Sequence, residues 1–259
     1  MKETRLMWDM PITINIAGVA TDKSVIDSIF DYFLHVDSLF NIFKENSEIS
    51  RINRGEVKRN EWSHEMNDVI SLCEITKKES SGYFNHKRGD FIDPLGLVKG
   101  WAIKKASDML QKRGCDNYII DAGGDIEVRG LTFQRKKWTV GIRNPFNRFE
   151  NIKILNLTDC AVATSGTYIR GNHIYNPLSP NQLLDETISM TVIGPNVYEA
   201  DRFATAAFAM GKNGIYFIEK MAGLEGYLID KNGTATYTSG FAKYTQTNGI
   251  IDSFIQSSL

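Results

Sequence analysis

Apolar side chains alternate with polar ones along several short stretches, which is the spacing of a half-buried β-strand. Strands are therefore predicted at residues 11–17, 117–129 (two strands around a Gly-Gly turn), 137–143, 152–157, 160–166, 188–193, 226–230 and 234–238. Elsewhere the apolar residues recur every three or four positions, as they do in an amphipathic helix. Helices are predicted at residues 24–40, 65–80, from a loop at 91–102 to about 113, at 196–211 and at 215–221. Because helices and strands mix without a regular βαβ rhythm, the predicted class is α+β.

The stretch at 196–211 is the most informative of the predicted helices. It is rich in alanine, which lets other backbone approach closely, and it ends at Gly211. Asp201 and Thr205 are four residues apart, so they share one face of this helix. A carboxylate and a hydroxyl on one face can hold a hard cation such as Mg²⁺. The alternative is that Asp201 interacts with the helix dipole and that Thr205 bonds back to a carbonyl of its own helix.

Three other stretches have the composition of ligand-binding backbone. The loop with Gly96 and Gly100 leads into a helix, and unpaired amides at a helix start bind anions, with Lys99 as a possible point charge. Glycines at 123–124 allow either a hairpin turn or close approach to a flat ligand. Small residues precede Ser165–Gly166. A fourth, polar stretch at 40–53 contains Ser47, Ser50 and Asn53, which fit either turn and cap residues or hydrogen-bonding groups around a ligand.

Composition limits the class of function. The chain has 259 residues and a formal net charge of −1, which argues against a sequence-independent nucleic-acid binder. The three cysteines are widely spaced and form no zinc or redox motif, so they are predicted to be reduced thiols. No stretch reaches transmembrane length, and no leader-like apolar segment or lipobox-like cysteine is visible. A cytoplasmic protein is expected.

Six runs occur in a fixed order: Ser-Glu-Ile-Ser-Arg-Ile-Asn (47–53), Asp-Pro-Leu-Gly-Leu-Val-Lys-Gly-Trp-Ala (93–102), Asp-Ala-Gly-Gly-Asp-Ile (121–126), Ala-Thr-Ser-Gly-Thr-Tyr (163–168), His-Ile-Tyr-Asn-Pro (173–177) and Glu-Ala-Asp-Arg-Phe-Ala-Thr-Ala (199–206). Together they resemble the ApbE family of FAD:protein FMN transferases. The resemblance implies an α+β, ApbE-like (T-fold-like) fold of mixed sheets flanked by helices. It also implies a single two-lobed, FAD-binding domain over residues 1–259.

The family's activity, as the resemblance implies it, is a Mg²⁺-dependent transfer of FMN from FAD. The acceptor is a Thr or Ser hydroxyl of a target flavoprotein, and AMP is released. The expected metal ligands are Asp201, Thr205 and the backbone carbonyl of Val98. The expected flavin and adenine contacts are Asn53, Lys99, Gly123, Gly124, Asp125, Thr164, Ser165 and Gly166.

His173 matches the family's histidine and is the predicted general base, since imidazole titrates near neutrality. Asp201 is grouped with it as a catalytic residue because the metal would polarise the reacting pyrophosphate. The sequence departs from the family nearby, because Asn176 stands where an aspartate is usual. The stretch Phe-Asn-His-Lys at 84–87 also replaces the usual Phe-Asp-Pro-Thr.

Two other functions stay open from the sequence. An FAD pyrophosphatase would use water in place of the protein hydroxyl, and Asn53 and residues 83–92 are the positions expected to decide between the two. A non-catalytic FAD-binding protein would follow if the change at Asn176 abolished activity. The acceptor protein and the oligomeric state are not encoded in any motif of the chain.

Overall fold

The computed structural model describes residues 1–18, 22–147, 149–167, 174–181, 183–245 and 256–258. Its α-helices in these ranges are α1 (Lys23–Phe40), α2 (Glu48–Asn53), α3 (His64–Glu79), α4 (Leu95–Lys112), α5 (Val197–Ala209) and α6 (Gly214–Glu219). Side chains cap several of them. Asp22, Ser63 and Asn196 each accept a backbone N–H from the first turn of the helix that follows.

The strands divide among one large sheet and two hairpins. The large sheet contains β1 (Lys2–Met7), β2 (Met10–Ile16), β5 (Tyr118–Ala122), β6 (Asp125–Arg129), β9 (Cys160–Gly166), β10 (Thr187–Gly194), β11 (Glu225–Asp230), β12 (Ala235–Tyr237) and β13 (Gln256–Ser258). The hairpins are β3 (Lys87–Arg88) with β4 (Phe91–Ile92), and β7 (Trp138–Arg143) with β8 (Asn151–Leu157).

The order of the large sheet is β1-β2-β5-β6-β9-β10-β11-β12-β13. Neighbouring strands are antiparallel except β12 and β13, which are parallel. Strands β6 and β9 are adjacent in space although the β7–β8 hairpin separates them in sequence. This pairing places Ile126 opposite Val162 and Glu127 opposite Ala161.

The two faces of the sheet are covered by different elements. Val162 packs with Trp138 and Val140 of the β7–β8 hairpin. Its neighbour Ala163 packs with Ala204 and Phe208 of α5, because adjacent residues of a strand point to opposite faces. Helices α1 and α4 cover the same side of the sheet as α5, over the isoleucines of β2. The central strands are thus buried on both faces, and the α4–α5 side carries Asp201, Thr205 and Ser165.

The prediction of an α+β fold is confirmed, and most predicted elements lie within a few residues of the observed ones. Residues 48–53 form α2, a helix absent from the predicted elements, and Ser47 is its cap residue, since its hydroxyl accepts the N–H of Ser50 at the helix start. One local prediction is wrong. Gly96 and Gly100 lie inside α4 instead of in the loop before it, because that helix begins directly after Pro94.

The three cysteines lie buried as free thiols. Within the described ranges, none of the helices combines the length and the apolar character that crossing a bilayer requires. The cytoplasmic location stays a prediction.

Candidate active site at the crossing of α4 and α5

Helices α4 and α5 are in backbone contact at Gly100. The N–H of Gly100 donates to Asp201 Oδ2 at 2.7 Å, although the two residues are 101 positions apart. A β-carbon on Gly100 would lie 2.7 Å from Asp201 Cβ and 2.7 Å from the carbonyl oxygen of Val197. Only glycine therefore fits at this crossing, and the contact fixes a 6% exposed carboxylate against the first turns of α4.

Thr205 lies one turn further along α5. Its hydroxyl donates to the carbonyl oxygen of Gly96 in α4 at 3.2 Å, and it lies 3.4 Å from the hydroxyl of Ser165 at the end of β9. The alternative in which Thr205 bonds back to its own helix is thus not what the structure shows. The hydroxyl points to the neighbouring helix, on the face that it shares with Asp201.

These groups form a set of hard oxygen donors. The oxygens of Thr205, Gly96 and Ser165 are separated by 3.2 and 3.4 Å. Adjacent ligands of Mg²⁺ lie about 3 Å apart, because its bonds to oxygen are about 2.1 Å long and nearly perpendicular. These three oxygens therefore fit Mg²⁺ in spacing, and the Asp201 carboxylate on the same face of α5 fits it in type. No group of three or more His, Cys, Asp or Glu side chains that could hold a metal occurs in the described ranges. A metal ion here would be coordinated by one carboxylate, by neutral hydroxyl and carbonyl oxygens, and by the phosphates of a bound ligand.

Val98 lies in the same part of α4 and is buried, with its N–H donating to the carbonyl oxygen of Pro94. The hydroxyl of Thr205 contacts the carbonyl of Gly96 in α4. The predicted role of the Val98 carbonyl as a metal ligand stays a prediction.

A buried ion pair lies beside these donors. Lys99 Nζ is 2.5 Å from Asp125 Oδ2, and the Asp125 side chain is 2% exposed. The other oxygen, Asp125 Oδ1, accepts the N–H of Thr164 at 3.2 Å, and the hydroxyl of Thr164 lies 2.9 Å from that of Thr191. The structure thus connects three predicted cofactor-binding residues, Lys99, Asp125 and Thr164, in one network from α4 across β6 to β9.

The Gly123–Gly124 turn joins β5 to β6 directly before Asp125. Both glycines have positive φ angles, 63° and 100°, which other residues rarely adopt. The N–H of Gly124 donates to Asp121 Oδ1 at 2.9 Å. Burial raises the pKa of the Asp121 carboxyl, and the nearby Asp125 raises it further, against the opposing effect of this hydrogen bond. The turn therefore presents backbone at the edge of the site.

Asn53, the last residue of α2, is engaged with the chain leading into α4. Its amide nitrogen donates to the carbonyl of Ile92 at 2.9 Å, and its amide oxygen accepts the N–H of Ile92 at 2.8 Å. This two-way bond holds strand β4 in place just before Asp93. The contact of Asn53 with a flavin stays a prediction.

His173 lies outside the described residues, so its predicted role as a base stays a prediction. The described residues that follow it lie against the β3–β4 hairpin. The hydroxyl of Tyr175 is 3.4 Å from the carbonyl of Lys87, and the Arg88 guanidinium lies 3.9 Å from the centre of the Tyr175 ring. Asn176 is buried, and its side-chain oxygen accepts the N–H of Leu178. At this position the amide stabilises a turn.

Two buried ionisable side chains were not singled out from the sequence. Glu127 is fully buried, and burial raises its pKa to about 7. His86 is 1% exposed, and burial lowers its pKa to about 4. No sequence signal marks Glu127 as buried except that it follows Asp125 on the same face of β6.

Solved structures of flavin transferases share this fold. The ApbE flavin transferase of Vibrio cholerae superposes with a TM-score of 0.81, at 20% identity over 94% of this chain and 98% of that chain. An ApbE protein of Thermotoga maritima gives a TM-score of 0.82, at 19% identity over 95% of this chain and 99% of that chain.

Curated relatives carry the name FAD:protein FMN transferase. The protein of Vibrio cholerae serotype O1 is 30% identical over 131 residues, which are 47% of this chain and 39% of the relative. The protein of Haemophilus influenzae is 26% identical over 193 residues, which are 70% of this chain and 55% of the relative. The chain thus spans between two fifths and a little over half of these relatives' length.

The family model described as "ApbE family" matches residues 86–228, which include α4, the Gly123–Gly124 turn, Ser165 and all of α5. The match covers more than half of the chain and contains both sides of the α4–α5 crossing. The chain belongs to the ApbE family.

Proposed function

We propose that the protein is a Mg²⁺-dependent FAD:protein FMN transferase and that residues 1–259 act as one FAD-binding domain. The observation that carries the proposal is the α4–α5 crossing, where Asp201, Thr205 and the Gly96 carbonyl come together beside the Lys99–Asp125 pair. The names of the curated relatives support the same activity.

The residues that would hold Mg²⁺ are Asp201 and Thr205, with a backbone carbonyl of α4. Bound there, the ion would neutralise charge on the pyrophosphate of FAD, which is the main requirement of phosphoryl transfer. Gly100 has no side chain, so α5 can approach it closely. Its N–H also holds the Asp201 carboxylate in place.

The remaining proposed contacts surround that position. Lys99 adds a positive charge from α4, and Asp125 fixes its direction through the 2.5 Å ion pair. Backbone at Gly123–Gly124 and at Ser165–Gly166 would border the flavin and adenine, since small residues permit close approach.

The reaction transfers FMN as one group. The hydroxyl oxygen of a Thr or Ser on the acceptor protein forms a bond to the phosphorus of the FMN half. The bond from that phosphorus to the bridging pyrophosphate oxygen breaks, and AMP leaves with that oxygen. We assign the hydroxyl proton to His173, the family-matched histidine.

One incubation distinguishes this activity from the two alternatives. The protein is mixed with FAD, Mg²⁺ and a candidate acceptor flavoprotein, and AMP and protein-bound flavin are both measured. AMP together with a labelled acceptor supports transfer. AMP without labelling indicates an FAD pyrophosphatase, and tight FAD binding with no AMP indicates a binding protein; either result contradicts the proposal.

Matched variants test the metal site within that assay. Asp201→Asn and Thr205→Val should each lower AMP formation by at least about tenfold, because each removes one proposed ligand. Glu199→Gln is the control, since Glu199 lies on the same helix but bonds Arg202. If Asp201→Asn keeps full Mg²⁺-dependent activity, the proposed ligand set is wrong.

A further inference from the structure

Glu127 is a buried carboxylate that contacts the start of α5. It lies in the middle of β6, opposite the small Ala161, and points to the same side of the sheet as Asp125. Its Oε2 atom accepts the N–H of Val197 at 2.6 Å. Val197 is the first residue of α5, and Asp201 follows one turn later. A strand at the centre of the sheet is thereby bonded to the helix that carries the proposed metal ligand.

This carboxylate has an energetic cost that a merely space-filling residue would avoid. Glu127 is 0% exposed, and its Oε1 atom has no hydrogen-bond partner in the part of the chain that the structure describes. Arg129 of β6 and Lys104 of α4 interact favourably with it at longer range, whereas Asp108 of α4 opposes it. An apolar residue would remove the cost of burying an unpaired oxygen. The bond to Val197 is the specific interaction that the carboxylate provides in return.

Capping does not account for that bond. The side chain of Asn196 already caps α5 by accepting the N–H of Glu199 at 3.0 Å. Glu127 bonds a different amide, that of Val197, and ties it to the sheet. The negative charge also lies at the positive end of the helix dipole, where it is favourable.

The same turn of α5 makes the closest contact with α4. The carbonyl oxygen of Val197 lies so close to Gly100 that a side chain there would clash with it. The N–H of Gly100 donates a hydrogen bond to Asp201. Val197 is thus held at its N–H by Glu127 and confined at its carbonyl by Gly100. A shift of this turn would move Asp201 relative to α4.

We propose that Glu127 is a positioning residue, which holds the first turn of α5 against β6 so that Asp201 keeps its bond to Gly100 and its place among the oxygen donors. The contact between Asp201 and Gly100 can be tested on the metal-free protein. The consequence for metal affinity rests on the proposed function. Groups that orient a metal ligand from behind typically change metal affinity by about 10- to 100-fold when they are removed.

The first experiment measures amide hydrogen exchange by NMR in the metal-free protein. Glu127→Leu should speed exchange at Gly100 by about tenfold or more, whereas Glu127→Gln, which keeps an acceptor oxygen, should stay within about threefold of the wild type. Glu199→Gln controls for loss of charge in the first turn. The sheet amide of Val192 serves as the reference, because a general loss of stability would speed its exchange equally. Unchanged exchange at Gly100 in folded Glu127→Leu overturns the proposal.

A second variant removes the same bond from the other partner. Val197→Pro deletes the donor, and proline is well tolerated at the first position of a helix. Asn196 before it is already extended, with φ −159° and ψ 165°, as a residue preceding proline should be. Faster exchange at Gly100 supports the proposal even if Glu127→Leu does not fold. A folded Val197→Pro with wild-type exchange at Gly100 overturns it.

The metal-dependent readout separates this inference from the proposed function. Glu127→Leu should raise the Mg²⁺ concentration for half-maximal AMP formation by about tenfold, and Glu127→Gln should restore it. If the wild type neither binds Mg²⁺ nor cleaves FAD, the proposed function fails, and the exchange data alone decide the role of Glu127. If the wild type is active and Glu127→Leu changes neither exchange nor Mg²⁺ dependence, the inference fails and the function stands.

Discussion

Asp201 accepts a hydrogen bond from the backbone N–H of Gly100 at 2.7 Å, across the crossing of α5 and α4. This contact joins the carboxylate to a helix whose glycine permits backbone-to-backbone packing. It also explains why two glycines occur in the first turns of α4, where they lower helix propensity.

Gly100→Ala should disturb this crossing directly. The added methyl group would lie 2.7 Å from Asp201 Cβ and from the Val197 carbonyl, so the helices must separate. Overpacking costs about 1–3 kcal/mol, against a gain of about 1 kcal/mol in helix propensity. We expect a net loss of stability in urea unfolding and a weaker response to Mg²⁺. Gly96→Ala is the comparison, because its nearest atom is the Thr205 methyl group at 3.1 Å, and it should cost less. Equal stability of Gly100→Ala and wild type would contradict the packing described.

The Lys99–Asp125 pair should behave as a coupled unit. Lys99→Met leaves a 2% exposed carboxylate without its cation and should destabilise the protein by about 3 kcal/mol. Lys99→Met combined with Asp125→Leu should recover part of that loss, which a double-mutant cycle of urea unfolding measures. Lys104→Met is the control, since its partner Asp108 lies on the same helix surface and such pairs contribute about 0.5 kcal/mol. Additive losses in the double variant would exclude coupling.

Glu127 should make the protein less stable as pH rises. Its pKa is 4.5 when unfolded and about 7 when folded, so the unfolded state loses its proton first between these values. The contribution of Glu127 to stability is therefore fully present below pH 4.5 and is lost as pH rises through 7, by about 3 kcal/mol. Glu127→Gln removes this dependence and should gain stability relative to the wild type between pH 5 and pH 8. Urea unfolding at pH 5 and pH 8 tests this. If the stability difference between Glu127→Gln and the wild type is the same at both pH values, the raised pKa is contradicted.

His86 should act in the opposite direction. Burial lowers its pKa from 6.5 to about 4, with Glu74 opposing and Lys87 and Lys77 assisting the shift. The unfolded state binds the proton first as pH falls, so the stability that the neutral imidazole contributes above pH 6.5 is lost toward pH 4, by about 3 kcal/mol. His86→Phe should remove this loss. The exposed His64 offers the control, since His64→Phe leaves the buried His86 in place and should keep the loss that His86 causes. An unaltered acid profile in His86→Phe would count against the buried neutral imidazole.

Local pattern was sufficient for much of the fold and for part of the site. Alternation predicted the strands, and the spacing of Asp201 and Thr205 predicted their common face. The contact of this face with α4 could not be predicted from the sequence. It involves backbone groups far away in the chain: the N–H of Gly100 is 101 residues from Asp201, and the carbonyl of Gly96 is 109 residues from Thr205.

Long-range packing explains the other differences. By sequence Asn53 fits a turn or cap residue as well as a ligand contact, and the structure shows that it ends a helix and bonds Ile92, which is 39 residues away. Glu127 lies two positions from the charged Asp125 and Arg129, and His86 lies between Asn85 and Lys87, so only the tertiary structure buries these two side chains. Side chains of this kind carry no periodic signal, since their environment is decided by what packs over them.

The Mg²⁺ dependence of AMP formation from FAD, in wild type and Asp201→Asn with an acceptor flavoprotein present, tests the proposed site most directly. The wild type should form AMP and labelled acceptor in equal amounts only when Mg²⁺ is added, and Asp201→Asn should lose at least about tenfold of this activity at every Mg²⁺ concentration below saturation. Equal rates in the two proteins, or full activity in the presence of EDTA, would contradict a metal-supported reaction at the α4–α5 crossing.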